Sequence, residues 1–308
     1  MRHLLTAVAL AATVTAHAAL PAAERVSFPS LDRDANGAPV MIDALFFKPP
    51  DTTGGKVPLV VALHGCGGMY SASASRRDQL SERGIAWTEA LLADGYAVLW
   101  PDSFNPRGRR SVCLVRRGEP TIAPATRRLD VLGALAFGTA QPGIDRTRAA
   151  IVGWSHGGST TLATVNGKDP AIEAFYAAPG APPPFVAAVA FYPGCVVSLR
   201  EGAGWLPMMP LRIDTGELDD WTPSSFCVRL GDSARLRGAT MDVTVYPGAY
   251  HGFDAPTGKV VLWKQVTTGA KPTEGVHVGP DPAAREAATT AVRAFLRARF
   301  APAATTTK

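Results

Sequence analysis

Residues 149–158 read Ala-Ala-Ile-Val-Gly-Trp-Ser-His-Gly-Gly, and this stretch decides the fold. Its first five residues form an apolar run that is typical of a strand buried on both faces. The residues from 156 to 165 then have the spacing of a helix. Between the two, Gly153, Ser155 and Gly157 form a G-x-S-x-G pattern at a strand-to-helix turn, which raises a serine hydroxyl above the edge of a sheet. Glycine is needed on both sides because larger side chains would collide in so sharp a turn.

The same alternation of strands and helices continues on both sides of this turn. Residues 25–48 alternate apolar and polar around a turn at 34–37, which predicts a β-hairpin. Further strands are predicted at 57–63, 96–100, 185–192, 210–215 and 241–246, and helices at 85–94, 120–140, 224–236 and 280–299. This order predicts an α/β fold with a mainly parallel sheet of about eight strands and helices on both faces. Segments 168–184 and 254–279 look irregular, and either could overhang a functional site or form ordinary surface loop.

The N-terminal residues have the form of a secretory signal. Arg2 and His3 precede an apolar run from Leu4 to Ala16, which is too short to span a bilayer and ends in a small-x-small cleavage pattern. A buried N-terminal helix is the alternative. We therefore expect a signal peptide at 1–18, a single domain at 19–300 and a disordered tail at 301–308, with the mature protein exported to the periplasm or the exterior.

Composition restricts the classes of partner. Apolar residues make up 46% of the chain and charged residues 19%, which argues against wholesale disorder. The net charge is +5, and arginines cluster at 107, 109, 110, 116 and 117. This cluster could bind nucleic acid, steer an anionic substrate or simply be solvated, but export argues against nucleic acid. We expect no nucleic acid partner, no stable membrane insertion, and a monomer or homodimer.

Two patterns that suggest metal sites are better explained otherwise. The chain has four cysteines, Cys66, Cys113, Cys195 and Cys227, and no C-x-x-C pair, so a zinc site is not expected. An even count in an exported chain predicts two disulfides rather than four thiols, with three pairings possible. Asp32, Asp34, Asn36 and Gly37 resemble part of a calcium loop, but their flanks alternate like strands, which favours a hairpin turn.

A serine nucleophile needs a base, and the chain offers three histidines at or after it. In folds of this kind the order along the chain is serine, acid, histidine. His156 follows the serine on the same turn and should point elsewhere. His251 comes just after the last predicted strand, whose carboxyl end lies on the same edge of the sheet as Ser155. His277 lies in an irregular segment, so His251 is favoured as the base.

The acid should follow the strand at 210–215. Glu217, Asp219 and Asp220 compete in the loop after it, while Asp214 lies inside the strand. A carboxylate here would hold the tautomer of the histidine, and the others would serve as charges near a helix N-terminus.

Backbone amides that could stabilise an oxyanion are predicted in the turn at 63–68, Leu-His-Gly-Cys-Gly-Gly. One donor would come from Cys66 or Gly67 and the second from His156, next to the nucleophile. His64 is interpreted as a structural residue of this turn.

The chain resembles the dienelactone hydrolase family of the α/β-hydrolases. The matching pieces are LHGCGG at 63–68, PDSFNPRG at 101–108, GWSHGG at 153–158, GELDDWTP at 216–223 and YHGFD at 250–254. They span most of the chain in the family's order. Founding members of the family carry cysteine where this chain has Ser155, so the resemblance implies the fold and the triad rather than activity on dienelactone.

The resemblance narrows several choices. The family's spacing between the loop glycine and proline selects Asp219 as the acid, with Asp220 second, and its HGF sequence supports His251. Placing the cysteines on the family's fold implies the pairs Cys66–Cys113 and Cys195–Cys227. Candidate residues of the substrate pocket are Tyr70, Trp154 and Trp221.

These observations predict a serine hydrolase that cleaves small carboxylic esters or lactones through an acyl-enzyme on Ser155, with no metal or organic cofactor. The alternatives are a secreted peptidase or polyester depolymerase of the same fold, and a catalytically silent binding protein. An intact set of serine, acid and histidine in the required order argues against a silent protein.

Overall fold

The computed structural model describes residues 20–50, 55–116, 118–119 and 121–301. The predicted signal peptide at 1–18 and nearly all of the predicted tail, residues 302–308, lie outside the described residues. Within the described part of the chain, no helix has the length and apolarity needed to cross a membrane.

An eight-stranded sheet forms the centre of the fold and confirms the predicted class. Its spatial order is β1-β2-β4-β3-β5-β6-β7-β8. Strands β1 and β2 form the antiparallel hairpin, β2 pairs antiparallel with β4, and the remaining pairs are parallel. The strands are β1 (Glu24–Arg33), β2 (Pro39–Phe47), β3 (Val57–Leu63), β4 (Ala97–Pro101), β5 (Ile144–Trp154), β6 (Ala187–Phe191), β7 (Leu211–Gly216) and β8 (Met241–Tyr246).

Helices cover both faces of this sheet. They are α1 (Glu82–Ala93), α2 (Pro124–Thr139), α3 (His156–Thr164), α4 (Pro170–Ala177), α5 (Val196–Glu201), α6 (Ser224–Leu236) and α7 (Pro282–Phe300). Local capping sets where some of them begin. The Ser81 side chain accepts a hydrogen bond from the Gly84 amide before α1, and Asp281 does so from Ala284 before α7.

The central strand β3 is apolar throughout because each face of the sheet has its own core. On β3, Leu59, Val61 and Leu63 belong to the core under α2, α3 and α6, whereas Val60 and Ala62 face α1 and α7. All five side chains are fully buried. Alternate side chains of a strand point to opposite faces, so a strand covered on both sides must be apolar at every position.

Two segments predicted to be irregular contain regular structure. Residues 170–177 form α4, which begins where the Asp169 side chain accepts from the Ala171 amide and Pro170 takes the first position. The short helix α5 was also not predicted. Segment 254–279 contains a two-stranded antiparallel sheet of β9 (Val261–Trp263) and β10 (Val276–Val278). These elements are too short for the periodic pattern of their residues to reveal them.

The turn between β1 and β2 is a hairpin turn, as predicted. The Asp34 carboxylate accepts from the amides of Asn36 and Ala38, which uses one of its oxygens within the turn itself. This is the local bonding typical of an Asx turn.

Both predicted disulfides are present. Cys66 pairs with Cys113 across a Cα separation of 4.8 Å, and Cys195 pairs with Cys227 across 5.1 Å. Disulfides persist in oxidising compartments, so their presence suggests that the protein works in one.

Candidate active site

Ser155 lies in a sharp turn between the end of β5 and the start of α3. Its backbone has φ 53° and ψ −113°, a conformation that residues other than glycine rarely adopt. A Cβ at Gly153 would come within 2.3 Å of the Gly157 carbonyl oxygen, and a Cβ at Gly157 within 2.1 Å of the Leu63 carbonyl oxygen. The two glycines therefore allow the strained turn that presents the Ser155 hydroxyl.

Ser155, His251 and Asp219 form a hydrogen-bonded row. The Ser155 Oγ lies 2.8 Å from His251 Nε2, and His251 Nδ1 lies 2.8 Å from Asp219 Oδ2. A carboxylate only accepts hydrogen bonds, so Nδ1 donates to Asp219 and Nε2 keeps a lone pair towards the serine hydroxyl. This is the tautomer that a general base needs to take a proton from Ser155.

The Asp219 carboxylate is buried and held by its own loop. Its Oδ1 accepts from the amides of Trp221, at 3.0 Å, and Thr222, at 2.8 Å. The Thr222 hydroxyl lies 3.0 Å from Asp219 Oδ2 and 3.2 Å from His251 Nδ1. These bonds orient Oδ2 towards the histidine.

The other candidate acids and His277 have partners elsewhere. His277 Nδ1 lies 2.7 Å from Asp220 Oδ2, and each side chain of this second histidine–aspartate pair is about one third exposed. Glu217 accepts from the Gly248 amide at the surface. Asp214 is paired with Arg212 inside the sheet. Adjacent aspartates of one loop thus bind two different histidines, and only the Asp219 pair reaches Ser155.

The turn at 64–68 passes directly beside Ser155. A Cβ at Gly65 would lie 3.6 Å from the Ser155 Cβ. The turn closes with a hydrogen bond from the Gly68 amide to the Gly65 carbonyl, and the Val112 amide and the Cys66–Cys113 disulfide attach it to the loop after β4. Among the described residues, no hydrogen bond engages the amides of Cys66 and Gly67. As the first residue of α3, His156 has an amide without an intrahelical acceptor.

A cavity of about 400 Å³ opens over Ser155 and His156. Both disulfides border it, and Thr268 of segment 254–279 contributes to its wall, so this segment does overhang the site. Its apolar lining comes from Val112, Val115, Val196, Trp221 and Phe226. Volumes of this size accommodate small organic ligands.

Only one of the three predicted pocket residues lies in this cavity. Trp221 lines it and contacts the His251 ring at a centroid separation of 4.8 Å. The prediction for Trp154 is corrected, because its indole is buried beneath Ser155 between Trp100 and Phe191. Tyr70 lies outside the cavity lining and packs against Arg110.

The described arginines of the 107–117 cluster make different contacts. Arg107 forms ion pairs with Asp32 and Asp130, and Arg110 donates to the carbonyls of Ser71 and Arg77. Arg109 is exposed, Arg117 lies outside the described residues, and Arg116 lines the cavity. The four described arginines of the cluster are therefore not a single binding surface.

Sequence reasoning missed the buried carboxylate of Asp254. Its oxygens accept from Arg83 Nε at 2.9 Å, from the Tyr192 hydroxyl at 2.5 Å, and from the indole nitrogens of Trp87 and Trp154 at 2.8 Å each. The Tyr192 ring in turn packs against the His251 ring, with 4.6 Å between the ring centroids. Asp254 thus connects Trp154, the residue before Ser155, with Tyr192, whose ring contacts His251. Its position directly after His-Gly-Phe was the available signal.

Replacing Asp254 with asparagine is expected to lower the free energy of unfolding by about 2–4 kcal/mol. The four donors occupy both oxygens, so an amide NH₂ must face one pair of donors whichever way it is turned. Denaturant unfolding with the disulfides intact measures the change. Asp242→Asn, at an exposed position of β8, serves as control and should change stability by less than about 0.5 kcal/mol. Equal stability of the two variants would contradict the importance of these bonds.

Comparison with known proteins agrees with this geometry. The model of the dienelactone hydrolase family matches residues 42–300. The chain belongs to the dienelactone hydrolase family. It is accordingly a hydrolase of ester bonds with the α/β-hydrolase fold. None of the curated protein sequences compared with it matches.

Solved structures of dienelactone hydrolase relatives share the fold at low sequence identity. A candidate dienelactone hydrolase from Klebsiella pneumoniae is 16% identical, with 89% of this chain and 97% of that chain covered and a TM-score of 0.61. Esterase 2 from Thermogutta terrifontis is 17% identical, with 94% and 96% covered and a TM-score of 0.59, and it has also been solved phosphorylated by paraoxon. The dienelactone hydrolase-like promiscuous phosphotriesterase P91, from metagenomic libraries, is 18% identical, with 91% and 100% covered and a TM-score of 0.59.

Proposed function

We propose that this protein is a serine esterase that hydrolyses small carboxylic esters or lactones through an acyl-enzyme on Ser155. The observation that carries the proposal is the hydrogen-bonded row of Ser155, His251 and Asp219, with 2.8 Å at each histidine nitrogen. In the proposed reaction, Ser155 Oγ adds to the substrate carbonyl carbon while His251 Nε2 takes the serine proton. His251 then protonates the leaving alcohol, and water releases the acyl group by the same steps.

The amides of Cys66 or Gly67 and of His156 are the proposed oxyanion donors. Their support is the position of the 64–68 turn beside Ser155 and the free amide at the start of α3. Stabilisation by backbone amides requires neither a metal nor an organic cofactor.

The proposed substrate is a small uncharged ester whose acyl or alcohol part fits the apolar cavity over Ser155. The support is the size of the cavity, about 400 Å³, and its valine, tryptophan, phenylalanine and cystine lining. We also propose that the protein is exported, on the grounds of its two disulfides and the signal-like residues at 1–18.

Labelling with paraoxon tests the activated serine. We expect one diethylphosphoryl group per chain, on the peptide that contains Ser155, and release of one equivalent of p-nitrophenolate, because only a serine with an adjacent base reacts readily. Hydrolysis of p-nitrophenyl acetate should disappear in parallel. Mass spectrometry of the digested protein locates the label, with the exposed Ser27 of β1 as an internal control that should stay unlabelled. An active enzyme that carries no label on Ser155 would refute the proposal.

A further inference from the structure

Four side chains from separate segments meet beneath the nucleophile turn. They are His64, Phe104, Arg127 and His156. The Phe104 ring lies edge-on to the His64 ring at 4.6 Å and to the His156 ring at 5.6 Å, and the Arg127 guanidinium lies 4.9 Å from its centre. Arg127 is completely buried.

Arg127 connects the two segments that hold the proposed oxyanion donors. One terminal nitrogen, Nη1, donates to the His64 carbonyl at 3.1 Å and to His156 Nδ1 at 2.9 Å. The His64 carbonyl lies at the entrance to the 64–68 turn, and His156 carries the first amide of α3. The guanidinium therefore holds in place both backbone segments whose amides are the proposed oxyanion donors.

The positive charge of this cluster resides on Arg127. A guanidinium has no acceptor, so His156 Nδ1 must accept and its ring must be neutral. Burial, together with the charge of Arg127, lowers the pKa of His156 to about 3. The same two causes lower the pKa of His64 well below its usual value. Burial lowers the pKa of Arg127 only to about 10, so Arg127 stays charged at neutral pH.

This buried charge has no carboxylate partner among the residues that the structure describes. The nearest acids, Asp130 and Asp102, favour the charge of Arg127 from a distance, but their oxygens accept hydrogen bonds from Arg107 and Ser30, and from Asn105 and the Phe104 amide, and none from Arg127. Within the same residues, Arg127 Nε and Nη2 also have no acceptor. Burying a charge that no carboxylate contacts directly is unfavourable to folding, and for Arg127 the cost of burial outweighs the attraction of the two more distant acids. Its presence next to a site where negative charge develops therefore points to a function.

We propose that Arg127 is a positioning residue whose buried charge also stabilises the oxyanion formed at Ser155. The inference rests on the proposed acyl transfer. When the Ser155 oxygen bonds to the carbonyl carbon, the serine proton passes to His251 and the carbonyl electron pair moves onto oxygen. The resulting negative charge is absent from the bound ester, so a fixed positive charge nearby lowers the barrier more than it strengthens substrate binding.

Three substitutions separate the charge from the hydrogen bonds. Arg127→Met removes both, Arg127→Gln keeps a donor without charge, and Arg127→Lys keeps the charge without the planar fork. For hydrolysis of p-nitrophenyl acetate we expect kcat to fall about 10- to 100-fold in the Met variant with KM nearly unchanged, which is less than the loss of a direct oxyanion donor. The expected order of kcat is Arg, Lys, then Gln and Met together.

Arg128 provides the matched control. It is the next residue of α2 and is ion-paired with Asp169 at 2.6 Å, so Arg128→Met should keep kcat within about 3-fold. Thermal unfolding is recorded for every variant. If the Met variant does not fold, the comparison of Lys with Gln still decides, and a Gln variant as active as the Lys variant or more so would overturn the role of the charge.

Inhibition by a short alkyl trifluoromethyl ketone gives an independent readout, because its adduct with Ser155 carries an oxyanion. We expect its affinity to fall by the same factor as kcat/KM across the series, and the methyl ketone of the same chain length to bind all variants equally. If the wild-type protein hydrolyses the ester and the Arg127 variants do not differ from it in kcat/KM or in affinity for the trifluoromethyl ketone, this inference is wrong while the proposed function stands. If the wild-type protein neither turns over the ester nor reacts at Ser155, the proposed function itself fails.

Discussion

Replacing Ser155 with alanine is expected to lower kcat for p-nitrophenyl acetate by about 10⁵- to 10⁶-fold. In the proposed reaction the hydroxyl oxygen bonds to the substrate, and no other hydroxyl lies against His251 Nε2 among the described residues. His251→Ala should cost about as much, because the hydroxyl is a weak nucleophile without its base. The double variant should be hardly worse than either single variant, since the two residues act as one unit.

The chain contains its own control for the histidine. His277 also lies 2.7 Å from an aspartate, Asp220, but it belongs to β10 and has no contact with Ser155. His277→Ala should keep kcat within about 3-fold. Steady-state kinetics on purified variants, with circular dichroism to verify folding, measures all of these effects. A variant set in which His277→Ala is inactive and His251→Ala is active would reverse the assignment of the base.

The features that the sequence predicts well are those that depend on local geometry. Burial of β3 and of residues 149–154 of β5 requires apolar residues in a continuous run, and the turn at Ser155 requires Gly153 and Gly157. Both requirements can be recognised in the amino-acid sequence. Chain order and sheet topology then place His251 at the same edge of the sheet, and the structure brings it to Ser155.

The choice between Asp219 and Asp220 depends on something that residue types do not record. Both follow β7, both are aspartates, and each has a histidine to bind. The loop path separates them, since amides of Trp221 and Thr222 turn the Asp219 carboxylate inward while Asp220 faces β10. The family resemblance selected Asp219 because it carries information about this path.

Arg127 and Asp254 show the same limit for buried charges. Arginine and aspartate are usually exposed, so an arginine on α2 is expected to belong to its solvated face. Its burial follows from the packing of α2 beneath the nucleophile turn, and that of Asp254 from the meeting of α1, β5 and the segment after β6. Contacts between residues so far apart along the chain have no local pattern, so only the three-dimensional structure reveals them.

Asparagine at position 219 is expected to lower kcat by about 10⁴-fold while leaving the fold intact. The side-chain oxygen of asparagine can still accept from the amides of Trp221 and Thr222, which places its NH₂ group against His251 Nδ1. An NH₂ group only donates, so Nδ1 must then accept and the ring proton must move to Nε2. A protonated Nε2 in a neutral ring cannot take the proton of Ser155, so the nucleophile loses its base although every heavy atom keeps its place.

Asp220→Asn makes the matched comparison, because it changes the neighbouring residue in the same way and affects only the pair with His277. We expect kcat of this variant within about 3-fold of wild type. KM should be nearly constant in both variants, since neither carboxylate lines the cavity, and paraoxon should label Asp219→Asn far more slowly than Asp220→Asn. Equal losses in the two variants would mean that the loop, rather than the tautomer of His251, limits the reaction. A loss confined to Asp219→Asn would show that a single proton position on His251 controls the nucleophile.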